Sequence, residues 1–230
     1  MILVAAVVAL VGVRFVSARE RLWCGVTTIG ALSAGAPPLR LLFEQSLPWH
    51  MVGHVITMFL LPMPLGWVVA HRATRLGPPW IAIGLVNVTM VLSHVPRVFD
   101  AVMEAGAMAT EAQNVLFFAT GTLFFSVVFR SSTPLRWSAG GVILTMFVML
   151  ALAMSLSIFT STAWYTSVGS MPGMVMPSDF AAQQLAAAIL WICGDLWAVP
   201  VLVWLLRVRI AREGSLLALL DRYSVPESRR

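Results

Sequence analysis

Lysine is absent from this chain of 230 residues, so all fifteen basic side chains are arginine, and charged residues of either sign make up only 11% of the whole. So little charge excludes a hydrated soluble surface, and no nucleic-acid partner is expected. Cysteine is almost missing as well. Cys24 and Cys193 fall in different apolar runs at different depths, which argues against a disulfide between them. Also lacking are a nucleophile elbow, a His-Glu-x-x-His helix, carboxylates paired within an apolar run, a nucleotide-binding glycine loop and any internal repeat. These absences count against catalysis, and the chain is read as a non-enzyme.

What remains is apolar: 59% of the residues are hydrophobic. Long runs recur from end to end, as expected of an all-α polytopic membrane bundle. Seven spans are read at 2–16, 22–36, 47–70, 80–95, 114–129, 138–159 and 181–206. Residues 1–206 then form one transmembrane domain, and 207–230 a basic tail ending in a short interfacial helix. Arginine orients the spans. Arg14, Arg19 and Arg21, then Arg72 and Arg75, then Arg130 and Arg136, then the six tail arginines fall on one side, against Arg40 and Arg97 on the other. A split of thirteen to two places the N-terminus outside and the C-terminus in the cytoplasm. The first span is short and carries Arg14. A cleaved signal peptide is its rival reading, opposed by the lack of a basic segment before the apolar run.

Tryptophans agree with this layout, with Trp49 and Trp164 at outer boundaries and Trp23, Trp67, Trp80, Trp137 and Trp204 near inner ones. Breakers such as Ala36-Pro37-Pro38 and Gly77-Pro78-Pro79 fall between spans, where backbone groups can meet water. Pro62 and Pro64 lie inside the third span and should kink it. The stretch 98–104 reads as an amphipathic helix on the outer interface, with Asp100, Glu104 and Glu111 on a solvated face.

His50 and His54 stand one helical turn apart at the outer end of the third span, with Met58 on the same face, and His94 ends the fourth. Three of four histidines thus face one leaflet, while His71 beside Arg72 belongs to the inner interface. Met51 adjoins the pair, and Met171, Met174 and Met176 occupy an outer loop rich in breakers. Imidazole and thioether donors suit Cu(I). A flexible methionine loop can collect it, with His50, His54 and His94 holding it and Met51 or Met58 as a soft further ligand. The plainer readings stand beside this one: interfacial hydrogen bonding for the histidines, core filling for Met58 and Met90. Asp195, in the middle of the seventh span, needs a partner or a wet pocket, and with Gln183 and Gln184 it forms a candidate polar site.

Several ordered elements resemble one family. They are His50-x3-His54 followed by the proline-containing run through Leu65, His94-Val95-Pro96 followed by Phe99-Asp100, and Phe118-x3-Gly121-x2-Phe124. Trp164-Tyr165 and Gln183-Gln184-Leu185 leading to Trp191 complete the set, which spans about 39–206. On these the chain is similar to the CtaG-like cytochrome c oxidase assembly proteins. The resemblance implies a seven-span assembly factor of the bacterial cytoplasmic membrane that supplies copper to a haem-copper oxidase. An oxidase subunit would be contacted laterally in the bilayer, and an extracytoplasmic donor would bring the copper. Asn114 stands where the family pattern suggests a further histidine, and Ala182 where it suggests a carboxylate. Two other readings remain open: a haem or quinone-linked electron carrier using His54 and His94, and a structural subunit without metal.

Overall fold

A computed structural model of the chain describes residues 17–73, 77–165, 180–215 and 217. Among these, every regular element is helical. The order is α1 (Ala18–Gly35), α2 (Pro37–Gln45), α3 (Leu47–Val55), a π-helical turn (Ile56–Leu60), α4 (Pro62–Arg72), α5 (Pro79–His94), α6 (Pro96–Glu104), α7 (Ala107–Phe129), α8 (Leu135–Ser157) and α9 (Phe180–Glu213).

Proline sets most of the starts. Pro37, Pro48, Pro79 and Pro96 each occupy the first or second helical position, where a missing N–H removes no helical bond. At α1 the start is a capping box: the Glu20 carboxylate accepts from the Ser17 N–H at 2.7 Å, and the Ser17 hydroxyl accepts from the Glu20 N–H at 3.4 Å. Residues 37–45, which fall between the second and third spans and start in the Ala36-Pro37-Pro38 breaker, are helical, because Pro37 and Pro38 only forbid the helix from entering from α1.

The kink anticipated at Pro62 takes a definite form. Pro62 has no N–H for the Met58 carbonyl, and the chain inserts a wider turn in which the Leu61 N–H reaches back five residues to the Ile56 carbonyl at 2.9 Å. Gly121 of α7 lies against this turn, and a Cβ there would collide with the Met58 carbonyl oxygen and the Pro62 ring. Only glycine allows that approach.

α4 packs on α7, α9 on α8 and α3, and α5 on both α7 and α8, while α1 and α2 lie along α4 and α3. The centre is aromatic. Phe59 stacks on Trp197 at 4.5 Å, and the edges of Phe124 and Phe125 close around that indole. Outward faces carry Ile29, Val88, Leu92, Phe147, Ile192 and Leu196, an apolar exterior suited to lipid.

Four helical stretches among the described residues are long and apolar enough to cross a membrane: Leu47–Arg72, Ala107–Phe129, Leu135–Ser157 and Phe180–Arg212. A fifth arises if α5 and α6, bent by 75°, count as one broken span. α1 has the length, at 18 residues, without meeting the same measure, and 2–16 lie outside the described residues. α9 continues through Arg207, Arg209 and Arg212 beyond the end assigned to the seventh span, whereas most of the interfacial tail helix lies outside the described residues.

At one end of the bundle Arg72 forms a two-pronged ion pair with the buried Glu20, its Nε donating at 2.7 Å. Those hydrogen bonds hold the Glu20 carboxyl well below the usual carboxylate range. Arg209 at the same end donates to the Thr133 carbonyl in the α7–α8 turn. His50 is 22 residues before Arg72, which puts it roughly 30 Å away at the opposite end.

Candidate functional site

His50 and His54 are neighbours because α3 is regular where they sit: one turn of helix stacks their rings at 4.3 Å between centroids. Both are buried, with 7% and 6% of their surface exposed. The His50 ring and Phe43 of α2 both stand at the wall of one cavity. Among the described residues His50 Nε2 has no partner, nor does His54 Nδ1. Asn87 Oδ1, Gln113 Oε1 and Trp197 Nε1 are likewise buried and unmatched among the described residues, but only the two ring nitrogens belong to residues that line a cavity, where a ligand could reach them.

Both rings line a cavity of about 310 Å³. Phe43, Gly53, Thr57 and Met103 form part of its wall, with Arg40, Glu111 and Asn114 among its polar lining. Gly106, in the left-handed region at φ 81°, turns the chain from α6 into α7 at the cavity edge. Glu111, expected on a solvated helix face, instead lines this cavity, because α7 begins at Ala107 and turns that residue toward α3. Asn114, one of the departures from the family pattern, lines it too.

His94 reaches the cluster from α5. Its ring meets His54 edge to face at 5.5 Å and is 2% exposed. His94 Nδ1 lies 2.7 Å from the Met90 carbonyl and 3.1 Å from the Ser93 hydroxyl. A carbonyl can only accept, so Nδ1 carries the proton and Nε2 presents its lone pair. That lone pair faces the Met51 sulfur at 3.3 Å.

The bend that ends α5 leaves the His94 carbonyl without a helical donor, since the Val98 N–H turns to Val95. Tyr165 fills the vacancy, its hydroxyl donating at 3.1 Å. Burial pushes that phenol well above its ordinary range, so it stays protonated and remains a donor. Phe99 links the tyrosine to the histidines, packing on Tyr165 at 4.2 Å and on His50 at 5.5 Å. Tyr165 had no role on the sequence alone beyond a shared motif, because its partner is a backbone group 71 residues earlier.

The other sequence-level candidates separate. Met58 is 2% exposed and packs in the core on the π turn. Met171, Met174 and Met176 lie outside the described residues. Gln183 is fully engaged: its side-chain amide donates to the Leu156 carbonyl at 2.8 Å and accepts from the Trp164 N–H at 2.6 Å. It ties the segment bearing Tyr165 to the end of α8, and so acts as a clamp. Gln184 and Asp195 are exposed on the outside of α9, with Asp195 about 18 Å along the helix from Gln183, so the three do not form one polar site.

Among the described residues no three His, Cys, Asp or Glu side chains converge closely enough to hold one metal ion. The donors are instead paired, His50 with His54 and His94 with Met51. A haem ligated by His54 and His94 would need its macrocycle between the two rings. In this structure the two rings instead meet edge to face at 84°.

Comparison with known proteins returns no matching curated protein and no matching solved structure. The model of one protein family, cytochrome c oxidase caa3 assembly factor (Caa3_CtaG), matches residues 3–212, which include every helix that builds the cavity and its histidines. The chain belongs to the caa3 cytochrome c oxidase assembly factor family.

Proposed function

We propose that this assembly factor handles Cu(I) at the extracytoplasmic face of a bacterial cell membrane and passes it to a haem-copper oxidase subunit. The observation that carries the reading is the pair of buried ring nitrogens on His50 and His54, unpartnered among the described residues, at the wall of one cavity. Neutral imidazole is a good ligand for a soft monocation, and two of them leave positions open for exchange. Copper is cargo here, and an open, modest-affinity site favours its release. The role is delivery without chemical turnover.

The layout in the bilayer is part of the same proposal: seven spans, N-terminus outside, C-terminus in the cytoplasm. It is supported by Arg72, Arg209 and Arg212 gathering at the end of the bundle opposite the histidines, as expected if that end faces the cytoplasm. In this layout the residues Met171, Met174 and Met176 belong to the outer side and would collect copper from a donor, and the oxidase subunit docks from the side within the membrane.

Two measurements test this. Full-length protein in detergent, titrated anaerobically with Cu(I), loses bound copper when His50 and His54 are both changed to alanine; unchanged stoichiometry removes them from the site. A host lacking the gene makes an oxidase with normal haem and depleted copper. Normal copper there overturns the delivery role.

A further inference from the structure

The donors are divided between two places, and the division has a direction. His50 and His54 line the cavity, while Met51 and His94 do not. Met51 is 0% exposed and His94 2%. The His54 ring stands between the two pairs, 4.3 Å from His50 and 5.5 Å from His94. The deeper pair also has unusual chemistry. The Met90 carbonyl fixes the proton of His94 on Nδ1, so at 3.3 Å the Nε2 lone pair meets the lone pairs of the Met51 sulfur with no hydrogen between them. Two soft donors aimed at each other gain nothing from that contact as it stands. Soft-ion bonds of about 2.0 Å to nitrogen and 2.3 Å to sulfur, meeting near the tetrahedral angle, would set the two atoms about 3.5 Å apart. The observed pair needs to open by only about 0.2 Å to admit an ion.

We propose that Met51 and His94 form a second, inner position for a soft monovalent cation, so that Cu(I) enters at His50 and His54 and comes to rest on Met51 Sδ and His94 Nε2. The inference rests on the copper reading above and adds to it a resting place and a path. Each step exchanges one ligand. A bond from copper to His94 Nε2 or Met51 Sδ forms as one to His50 or His54 breaks. Copper stays Cu(I) throughout, no electron moves, and the ligating nitrogens of His50 and His94 use lone pairs, so no proton leaves them. His54, touching both pairs, is the ligand that the two positions share.

The test is X-ray absorption of Cu(I) bound to the full-length protein in detergent, with the rate of copper loss to a chelator measured alongside. The wild type is expected to show sulfur in the copper shell. Met51→Leu, nearly equal in volume, is expected to keep bound copper on nitrogen alone and to release it at least about tenfold faster. His94→Gln removes the position from the other side and should also speed release, which guards against a folding defect peculiar to position 51. His50→Ala should retain the sulfur signal and slow uptake. A wild-type shell of nitrogen only, or a sulfur signal and release rate unchanged in both Met51→Leu and His94→Gln, overturns the inner position while leaving the copper reading intact. Absence of any bound Cu(I) in the wild type overturns both.

Discussion

Tyr165 shows how one hydroxyl can hold a site it never enters. It satisfies the His94 carbonyl at the point where α5 breaks, and it presses Phe99 against His50. Tyr165→Phe keeps the ring and removes the donor, leaving a buried carbonyl unmatched at a cost of about 1–3 kcal/mol. A lower melting temperature in detergent is expected, with copper stoichiometry retained. An unchanged melting temperature would mean that another group takes up the carbonyl. At this scale the sequence was informative about donors and silent about partners. His50-x3-His54 announces a shared face by spacing alone, and the structure keeps it. The contact of Met51 with His94 joins residues 43 apart, and no local pattern encodes it. Asp195 is the reverse case: an acid inside an apolar run calls for a partner or a wet pocket, and its place on the outside of the helix is not written in the local sequence.

Among the helices, the most specific device is the turn at Ile56–Leu60 and the glycine that fits it. Gly121→Ala would drive a methyl group into the Met58 carbonyl and the Pro62 ring, both too stiff to yield. The expected penalty is roughly 1–3 kcal/mol, measured by thermal unfolding, with α4 and α7 pushed apart. A variant as stable as wild type would show that the turn can relax. Helix starts were legible in the sequence because proline fixes them locally, as at Pro79 and Pro96. The form of the break before Pro62 was not, since a kink and a π-helical turn answer the same missing N–H and tertiary packing selects between them. α2 was missed because two prolines following an alanine look the same whether they end one helix or begin another.

For the molecule as a whole, arginine supplies a fastening at one end of the bundle. Glu20 and Arg72 tie α1 to α4. The carboxyl is depressed relative to its ordinary value of 4.5, so its contribution is complete above that pH and is lost as the pH falls toward about 2. Glu20→Gln should lower the melting temperature at neutral pH and flatten its fall in acid; a variant with the same acid profile as wild type would show that this pair does not set it. The all-helical membrane class was legible from composition. The span count is harder, since α1 carries Thr27, Thr28 and Ser33, whose polarity weakens the apolar signal although Thr27 and Thr28 bond back to their own helix. The same fastening bears on synthesis. Its halves are 52 residues apart, so at 5–20 residues per second the ribosome emits Glu20 about 3–10 seconds before Arg72. Through that interval the nascent α1 waits at the insertion machinery with its acid matched only by water, headgroups and its own cap, until the arrival of Arg72 closes the ion pair between α1 and α4.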